Sequence, residues 1–196
     1  MKKVFIIHGF QGRPNLNWFP WLMGELAKND IYACAIPMPS PDMPVKTDWI
    51  TAIKEAVKNP TEEVFLVGHS LGVPAILRYL ESLDTDYKIG GVVLVSGPLL
   101  KIEKEGYEQV NTFLDTTFDF DHIKNVCKNF TVIHGDNDTA VPLSDGVELS
   151  KKLVCDFIII PNGGHLNGSA SCFVLPSALE SLLKMANSLG ATHFRK

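Results

Sequence analysis

Long apolar runs and dense clusters of basic residues are both missing from this sequence. Only four apolar residues follow the first Met-Lys-Lys before His8, too few for the core of a secretory signal peptide. No segment reaches the ~20 apolar residues that a membrane-spanning helix needs. Lys and Arg number 18 against 22 Asp and Glu, which argues against a nucleic-acid-binding surface. We therefore expect a cytoplasmic protein that binds neither nucleic acid nor membranes.

Cysteine is scarce, and its spacing points to neither a metal site nor a redox site. The H-x-x-x-H pattern and the glycine fingerprint of dinucleotide-binding proteins do not occur in the sequence. We therefore expect the protein to use no metal ion and no organic cofactor. The four cysteines are far apart and form no C-x-x-C pair, lying at Cys34, Cys127, Cys155 and Cys172.

Six apolar segments recur along the chain and predict the strands of a buried sheet. They are rich in Val, Ile and Phe and almost continuously apolar, as is typical of strands covered on both faces. Helical patterns separate them, and such alternation indicates a parallel sheet with right-handed crossovers. The predicted strands are 4–9, 31–37, 64–69, 91–97, 130–135 and 156–161.

Between these strands, apolar residues recur at helical spacing. One predicted helix has Thr47 as its candidate N-cap and stops before Pro60. Others are predicted after Pro20, after the serine motif described below, at 142–154 and at 176–189. We expect one α/β domain over residues 1–196, with a mainly parallel sheet of six or seven strands and helices on both faces. The long connection at 98–129 is a candidate lid or binding loop, but it is too short for a large cap domain.

The segment VFLVGHSLGVP, residues 64–74, places a serine between two glycines where a strand ends and a helix begins. In that context G-x-S-x-G is typical of a nucleophile elbow, a strained turn that points the serine hydroxyl out of the sheet. Gly68 and Gly72 fit because the backbone passes too close there for a Cβ atom. The alternative is a tight connection with an incidental serine. We favour the elbow, with Ser70 as the nucleophile.

A serine hydroxyl is a weak nucleophile, so it needs a base and a group that orients the base. His165 follows the last predicted strand, after two glycines that would let a flexible loop swing its ring towards Ser70. Asp136 and Asp138 follow the preceding strand. The D-x-x-V-P spacing favours Asp138 as the acid, and we expect Asp136 to form a turn with its own backbone.

The other five histidines fit the role of base less well. His8, His69 and His134 lie at strand ends, where we expect their rings to bond local backbone groups. His122 lies in the long connection and His193 in the basic tail.

Two backbone N–H groups are expected to stabilise the negative oxygen that forms during acyl transfer. Leu71, at the start of the helix after the serine, would supply one. The loop after the first strand would supply the other, since Gly9 and Gly12 permit a sharp turn that directs the N–H of Phe10, or else of Gln11, to the same point. The alternative is an ordinary strand-to-helix turn.

Three apolar residues are candidates for contacting the substrate. Val141 and Leu166 follow the segments that carry the predicted acid and base. Trp18 is a candidate wall of the pocket, although its spacing from Leu22 equally predicts a place in the core.

With serine, acid and histidine in that order, the sequence resembles the α/β-hydrolases. It resembles more closely the small YdeN-like branch, which includes the retinoblastoma-binding-protein-nine-type serine hydrolases. The resemblance covers nearly the whole chain and assigns the nucleophile, acid and base to Ser70, Asp138 and His165. It rests on HGFQG at 8–12, NWFPWL at 17–22, DW at 48–49, VGHSLGVPAILRYLE at 67–81, VSG at 95–97, FDFDHI at 118–123, GDNDTAVP at 135–142 and GGHL at 163–166.

The resemblance implies a carboxylesterase-like enzyme that hydrolyses small carboxylic esters, or amides, through an acyl-enzyme intermediate. Thioester cleavage or acyl transfer by the same triad remains open. A non-catalytic protein-binding module on the same scaffold is the alternative from another class, and the complete triad counts against it. The family name also raises a partner motif, L-x-C-x-E, but residues 153–157 read LVCDF and depart from it.

Overall fold

The six predicted strands form one parallel sheet in the order β2-β1-β3-β4-β5-β6 in the computed structural model, which describes residues 1–191. The basic tail, with His193, lies outside the described residues. Every neighbouring pair of strands runs parallel, as predicted. The strands are β1 (Lys3–Ile7), β2 (Tyr32–Ile36), β3 (Val64–His69), β4 (Gly91–Val95), β5 (Phe130–Gly135) and β6 (Asp156–Ile160).

The helices cover both faces of this sheet. Their apolar sides and the strands form two separate cores, one on the side of α1 and α7 and the other on the side of α2, α3, α5 and α6. Every residue of β3, β4 and β5 is buried, which explains why these segments are continuously apolar. The helices are α1 (Phe19–Ala27), α2 (Lys46–Val57), α3 (Gly72–Glu81), α4 (Glu108–Asn111), α5 (Phe120–Val126), α6 (Leu143–Leu153) and α7 (Pro176–Ala191).

The start of α2 differs from the prediction by two residues. The N-cap is Val45, in an extended conformation with no side-chain cap, whereas Thr47 lies inside the first turn. The Thr47 hydroxyl donates to the Asp48 carboxylate at 3.3 Å and so does not cap the helix. The predicted end is confirmed, since the helix stops at Val57, before Pro60. Within residues 1–191, no helix is long and apolar enough to cross a membrane.

Buried polar side chains hold the long connection at 98–129 against the rest of the domain. The Arg78 guanidinium on α3 donates to the carbonyl oxygens of Phe113, Thr116 and Thr117. The Asp145 carboxylate, at the start of α6, accepts two N–H groups from residues 99 and 100. The connection therefore packs on the domain and builds no separate cap.

The order of the strands identifies the edge of the sheet where a site can form. After β1 the chain moves outward to β2 and then returns to β3 on the other side of β1. The loops that follow β1 and β3 therefore leave in opposite directions, which opens a crevice at the carboxyl ends of these strands. The predicted elbow and the HGFQG loop both lie at this edge.

Candidate active site

Ser70 lies directly after β3 in a strained backbone conformation. Its φ is 53°, in the left-handed region that non-glycine residues seldom adopt. Its N–H donates to Val95 O at 2.9 Å, and its carbonyl accepts the N–H of Val73 at 2.9 Å as α3 begins. Strain of this kind costs on the order of 1–3 kcal/mol and concentrates at functional sites.

Close backbone packing explains the glycines around this turn. A Cβ on Gly72 would lie 2.2 Å from the carbonyl oxygen of Ile7, and a Cβ on Gly68 would lie 2.8 Å from the carbonyl oxygen of Gly72. A Cβ on Gly9 would lie 2.8 Å from the Cβ of Ser70. The predicted reason for Gly68 and Gly72 is confirmed, and Gly9 has the same reason.

Asp138 and His165 form a direct hydrogen-bonded pair. His165 Nδ1 donates to Asp138 Oδ2 at 2.8 Å, and the other carboxylate oxygen accepts the N–H groups of Ala140 and Val141 at 2.8 and 3.0 Å. Burial acts to raise the pKa of Asp138, but hydrogen bonds from His134 and His165 outweigh it and hold the pKa well below its usual range. The carboxylate is therefore ionised at neutral pH, and the Nε2 atom of neutral His165 is left as a proton acceptor.

The loop that carries His165 is fixed by the residues that follow β5. Asp136 Oδ1 accepts the N–H of Asn162 at 2.7 Å, and Asn137 Oδ1 accepts the N–H of Gly164 at 2.7 Å. With Asp138, three consecutive side chains therefore bond this loop. The expected local turn of Asp136 is wrong, because its side chain bonds across to the loop and helps to hold it.

Two asparagines that no sequence pattern singled out also fix this loop. Asn137 stands between the two candidate acids, where the run Asp-Asn-Asp after a strand was the available clue. Asn17 takes a left-handed conformation, with φ of 55°, and its Oδ1 accepts the N–H of Gly168 at 2.8 Å. No spacing rule connects Asn17 with a residue so far along the chain.

His69 and Trp18 bond the carbonyl groups of successive residues in this loop. His69 Nε2 donates to His165 O at 2.9 Å, and Trp18 Nε1 donates to Leu166 O at 2.9 Å. The rings of His69 and His165 lie with their centroids 5.0 Å apart. Burial, and then the charge of His165, lowers the pKa of His69 to about 3. His69 is therefore neutral at physiological pH.

The three residues expected to contact the substrate have no free surface. The side chain of Trp18 is 0% exposed, and Val141 and Leu166 are each 1% exposed. Trp18 packs in the core against Phe19, with ring centroids 4.7 Å apart. Of the two expectations for Trp18, the core position is confirmed. Trp18 bonds the carbonyl of Leu166 through its indole N–H, and the backbone N–H of Val141 bonds Asp138. All three residues therefore hold the segments around Asp138 and His165, and none of them lines an open pocket.

His8 and His134 bond nearby backbone carbonyls, as predicted. His69 bonds a distant carbonyl and not the local one expected, and His122, for which no partner was predicted, bonds another. His8 Nδ1 donates to Gly9 O at 2.9 Å, while its Nε2 accepts the N–H of Met38 at 3.2 Å. His134 Nε2 donates to Val141 O at 3.0 Å and also lies 3.4 Å from Asp138 Oδ2. The remaining two donate to more distant carbonyls, His69 to His165 O and His122 to Leu83 O.

The loop after β1 distinguishes the two candidates for the second oxyanion N–H. The N–H of Gly12 donates to Gly9 O at 3.0 Å and closes the predicted turn. The N–H of Gln11 is engaged, since it donates to Pro41 O at 2.8 Å. Within residues 1–191, the N–H groups of Phe10 and Leu71 donate to no backbone or side-chain acceptor. The engaged N–H of Gln11 therefore favours Phe10 as the second candidate donor.

Neutral buried histidines should make the protein sensitive to mild acid. The unfolded chain binds a proton at His69 below about pH 6.5, whereas the folded protein does not until about pH 3. Stability is therefore fully present above pH 6.5 and is lost as the pH falls. We expect this group to lower the free energy of unfolding by about 2 kcal/mol between pH 7 and pH 5. Burial lowers the pKa of His8 as well, which adds a loss of the same sign.

Urea denaturation at pH 7 and pH 5 measures this loss. His69→Gln is the matched variant, because glutamine does not titrate and keeps a side-chain N–H donor. Between pH 7 and pH 5, the free energy of unfolding of this variant should fall by about 2 kcal/mol less than that of the wild type. Equal losses in the two proteins would show that His69 titrates normally in the folded state.

Comparison with known proteins places this geometry in a family. The sequence model described as serine hydrolase matches residues 4–184. The hydrolase YdeN of Bacillus subtilis is 34% identical over 164 residues, which are 84% of this chain and 85% of YdeN. The serine hydrolase RBBP9 of Rattus norvegicus is 22% identical over 153 residues, 78% of this chain and 79% of RBBP9.

Solved structures agree with this placement. The crystal structure of the Bacillus subtilis ydeN gene product superposes with a TM-score of 0.89 at 31% identity, covering 94% of this chain and 98% of that one. Est1E from Butyrivibrio proteoclasticus has a TM-score of 0.71 at 18% identity, covering 94% of this chain and 88% of its own, and supports the fold alone. With its six-stranded parallel sheet and its match over residues 4–184, this chain belongs to the serine hydrolase family of α/β-hydrolases.

Proposed function

We propose that this protein hydrolyses small carboxylic esters through an acyl-enzyme intermediate. Ser70 is the nucleophile, His165 the general base and Asp138 the residue that orients and stabilises the base. The hydrogen bond of 2.8 Å between His165 Nδ1 and Asp138 Oδ2 carries the proposal, because it leaves Nε2 of His165 able to take a proton. Ser70 stands on its strained turn beside His69, whose ring contacts that of His165.

The first half of the reaction forms the acyl-enzyme. Ser70 Oγ attacks the carbonyl carbon of the ester as His165 Nε2 takes the hydroxyl proton. The carbonyl π electrons move to oxygen, which the N–H groups of Phe10 and Leu71 stabilise. When the tetrahedral intermediate collapses, the bond to the leaving oxygen breaks and His165 returns the proton to the departing alcohol.

The second half releases the acid. A water molecule attacks the acyl carbon while His165 Nε2 takes one of its protons. The ester bond to Ser70 Oγ then breaks, and His165 gives the proton back to that oxygen. The products are one alcohol and one carboxylic acid for each water consumed, and the enzyme is regenerated. No step uses a metal ion or an organic cofactor.

Charge at the site supports this sequence of steps. The ionised carboxylate of Asp138 stabilises His165 when the ring becomes positive, whereas His69, which contacts that ring, stays neutral and does not oppose the charge. Removing one oxyanion donor from a hydrolase costs about 10²–10³ in kcat. The two free N–H groups of Phe10 and Leu71 are therefore worth several kcal/mol to the transition state.

A small substrate fits the architecture of the domain. The connection at 98–129 is bonded to the domain by Arg78 and Asp145 and builds no cap over the sheet. An ester with a short acyl group and a small alcohol needs no enclosing domain. A panel of p-nitrophenyl esters and acyl thioesters of increasing chain length measures this preference, and faster turnover of thioesters would assign the triad to thioester chemistry.

Labelling with a fluorophosphonate probe tests the nucleophile directly. We expect the folded protein to take up one label, and Ser70→Ala to lose both the label and at least about 10³ of the esterase rate. Ser82→Ala is the control, since its hydroxyl only bonds the carbonyl of Tyr79 at the end of α3. If wild-type protein does not label, the protein is a binding module and not a serine hydrolase, and if Ser70→Ala labels equally, Ser70 is not the nucleophile.

A further inference from the structure

We propose that His69 is a positioning residue for the reaction: its ring holds the main chain of His165 in place beside the nucleophile. The inference rests on the proposed function, in which His165 is the base and Ser70 the nucleophile. It gives a role to the residue before the serine, a position that the G-x-S-x-G pattern leaves unspecified.

The hydrogen bond between the two histidines defines the protonation of His69. A carbonyl oxygen only accepts, so the contact of 2.9 Å to His165 O requires the hydrogen to be on Nε2 of His69. The lowered pKa of His69 keeps the ring neutral, so this residue is the tautomer with its one hydrogen on Nε2. Its ring is 4% exposed, so water does not readily replace the bond.

A second buried donor lies in the same cluster. The rings of Trp18 and Phe19 pack edge-on against His69, with centroids 6.2 and 6.1 Å from it. Trp18 Nε1 donates to the carbonyl of Leu166, the next residue in the base loop. Two successive carbonyls are thus held from one side by buried N–H groups.

Two residues that follow β5 hold the loop as well. Asn137 accepts the N–H of Gly164, and Asp138 accepts Nδ1 of His165. The main chain is therefore fixed at the N–H of Gly164 and at the carbonyl of His165, and the ring is fixed through Asp138. Of these contacts, only the one from His69 comes from a residue that is covalently joined to the nucleophile.

This connection sets the distance between base and nucleophile. The path from Ser70 to His165 runs through one peptide bond, one imidazole ring and one hydrogen bond. In enzymes, a displacement of about 1 Å in a catalytic group can lower the rate by about 10². His69 also has to stay neutral when His165 becomes positive, and its low pKa ensures this.

The competing explanation is that His69 only fills space in the core. His69→Phe and His69→Gln separate the two. Phenylalanine keeps the ring packing against Trp18 and Phe19 but has no donor, whereas glutamine loses the ring but places an N–H near the position of Nε2. If His69 positions the base, His69→Phe lowers kcat on a p-nitrophenyl ester by about 10–100-fold with KM within about threefold, and His69→Gln recovers most of that loss.

A purely space-filling role gives the opposite order. His69→Phe would then keep the wild-type kcat, or would equal or exceed His69→Gln, and either result overturns the proposal. Should His69→Phe fail to fold, His69→Leu replaces it, because leucine also keeps apolar packing against Trp18 and Phe19 and has no donor. A fall in its kcat at constant KM that His69→Gln recovers supports the proposal, and an unchanged kcat overturns it.

A measurement without substrate separates this proposal from the proposed function. The hydrogen on His165 Nδ1, bonded to Asp138, should give a protected downfield proton resonance in the wild type. We expect faster solvent exchange of that proton in His69→Phe and slow exchange again in His69→Gln. Equal exchange rates in the three proteins would refute the positioning role, whereas a wild type that shows this pattern but takes no fluorophosphonate label would refute only the esterase function.

Discussion

Replacing Asp138 by asparagine should lower kcat on a p-nitrophenyl ester by about 10⁴, with KM changed only severalfold. Asp138 Oδ1 already accepts the N–H groups of Ala140 and Val141, so the carbonyl oxygen of asparagine would take that place. Its NH₂ group would then face Nδ1 of His165. That ring would have to accept at Nδ1 and carry its hydrogen on Nε2, the tautomer that cannot take a proton from Ser70.

The same asparagine would place a donor against a second donor. His134 Nε2, which carries a hydrogen towards Val141 O, lies 3.4 Å from Asp138 Oδ2. We therefore expect a loss of stability as well as of rate. Steady-state kinetics with urea denaturation of the same samples separates the two effects, since kcat is measured on folded protein.

Asp136→Asn is the matched control for this variant. Asp136 Oδ1 accepts only one N–H, that of Asn162, and an amide oxygen accepts it equally well. We expect kcat of this variant to stay within about fivefold of the wild type. If both aspartates lose activity equally, or if Asp138→Asn keeps more than about a tenth of the rate, Asp138 does not orient the base.

Local sequence predicted the sheet well because burial on both faces leaves a strong pattern. A strand such as β4 has neighbouring strands on both sides and helices on both faces, so all of its residues are buried and apolar. The turn at Ser70 was equally predictable from the sequence. Gly68 and Gly72 are required by contacts within or next to one strand-to-helix connection. A short stretch of consecutive residues is therefore enough to predict the turn.

The support of the site was much less predictable, because its contacts join distant residues. Trp18 and Leu166 are bonded across most of the chain, and the burial of Trp18 gives no hint that its indole N–H serves the base loop. The two glycines before His165 pointed to a mobile loop. In the structure, three side chains and the rings of Trp18 and His69 bond that loop, and the glycines alone do not reveal these contacts.

The predicted N-cap of α2 was also wrong, for a physical reason. Thr47 has the side chain of a good N-cap, but Val45 already takes the extended conformation from which α2 begins. The first turn of the helix then includes Thr47. The backbone conformation at Val45 therefore decides where the helix starts, and it overrides the preference for threonine over valine at the N-cap, which is worth about 1 kcal/mol.

Replacing Gly72 by alanine should be the most destabilising single methyl addition at the elbow. The new Cβ would lie 2.2 Å from the carbonyl oxygen of Ile7, 2.8 Å from its carbonyl carbon and 3.0 Å from the carbonyl oxygen of His8. These are backbone atoms at the end of β1, between β2 and β3, so no side-chain rotation relieves the contact. Either α3 or the end of β1 must shift, and we expect a loss of at least about 4 kcal/mol in the free energy of unfolding.

The opposite result is expected for the same substitution at Gly24. This glycine lies in the middle of α1, and a Cβ there would meet no atom within 4 Å. Alanine should therefore raise the free energy of unfolding by about 0.5–1 kcal/mol, through helix propensity alone. Urea denaturation of the two variants gives both values. A loss below about 1 kcal/mol for Gly72→Ala would mean that α3 can move away from β1, and the strained turn at Ser70 would then not be fixed by this contact.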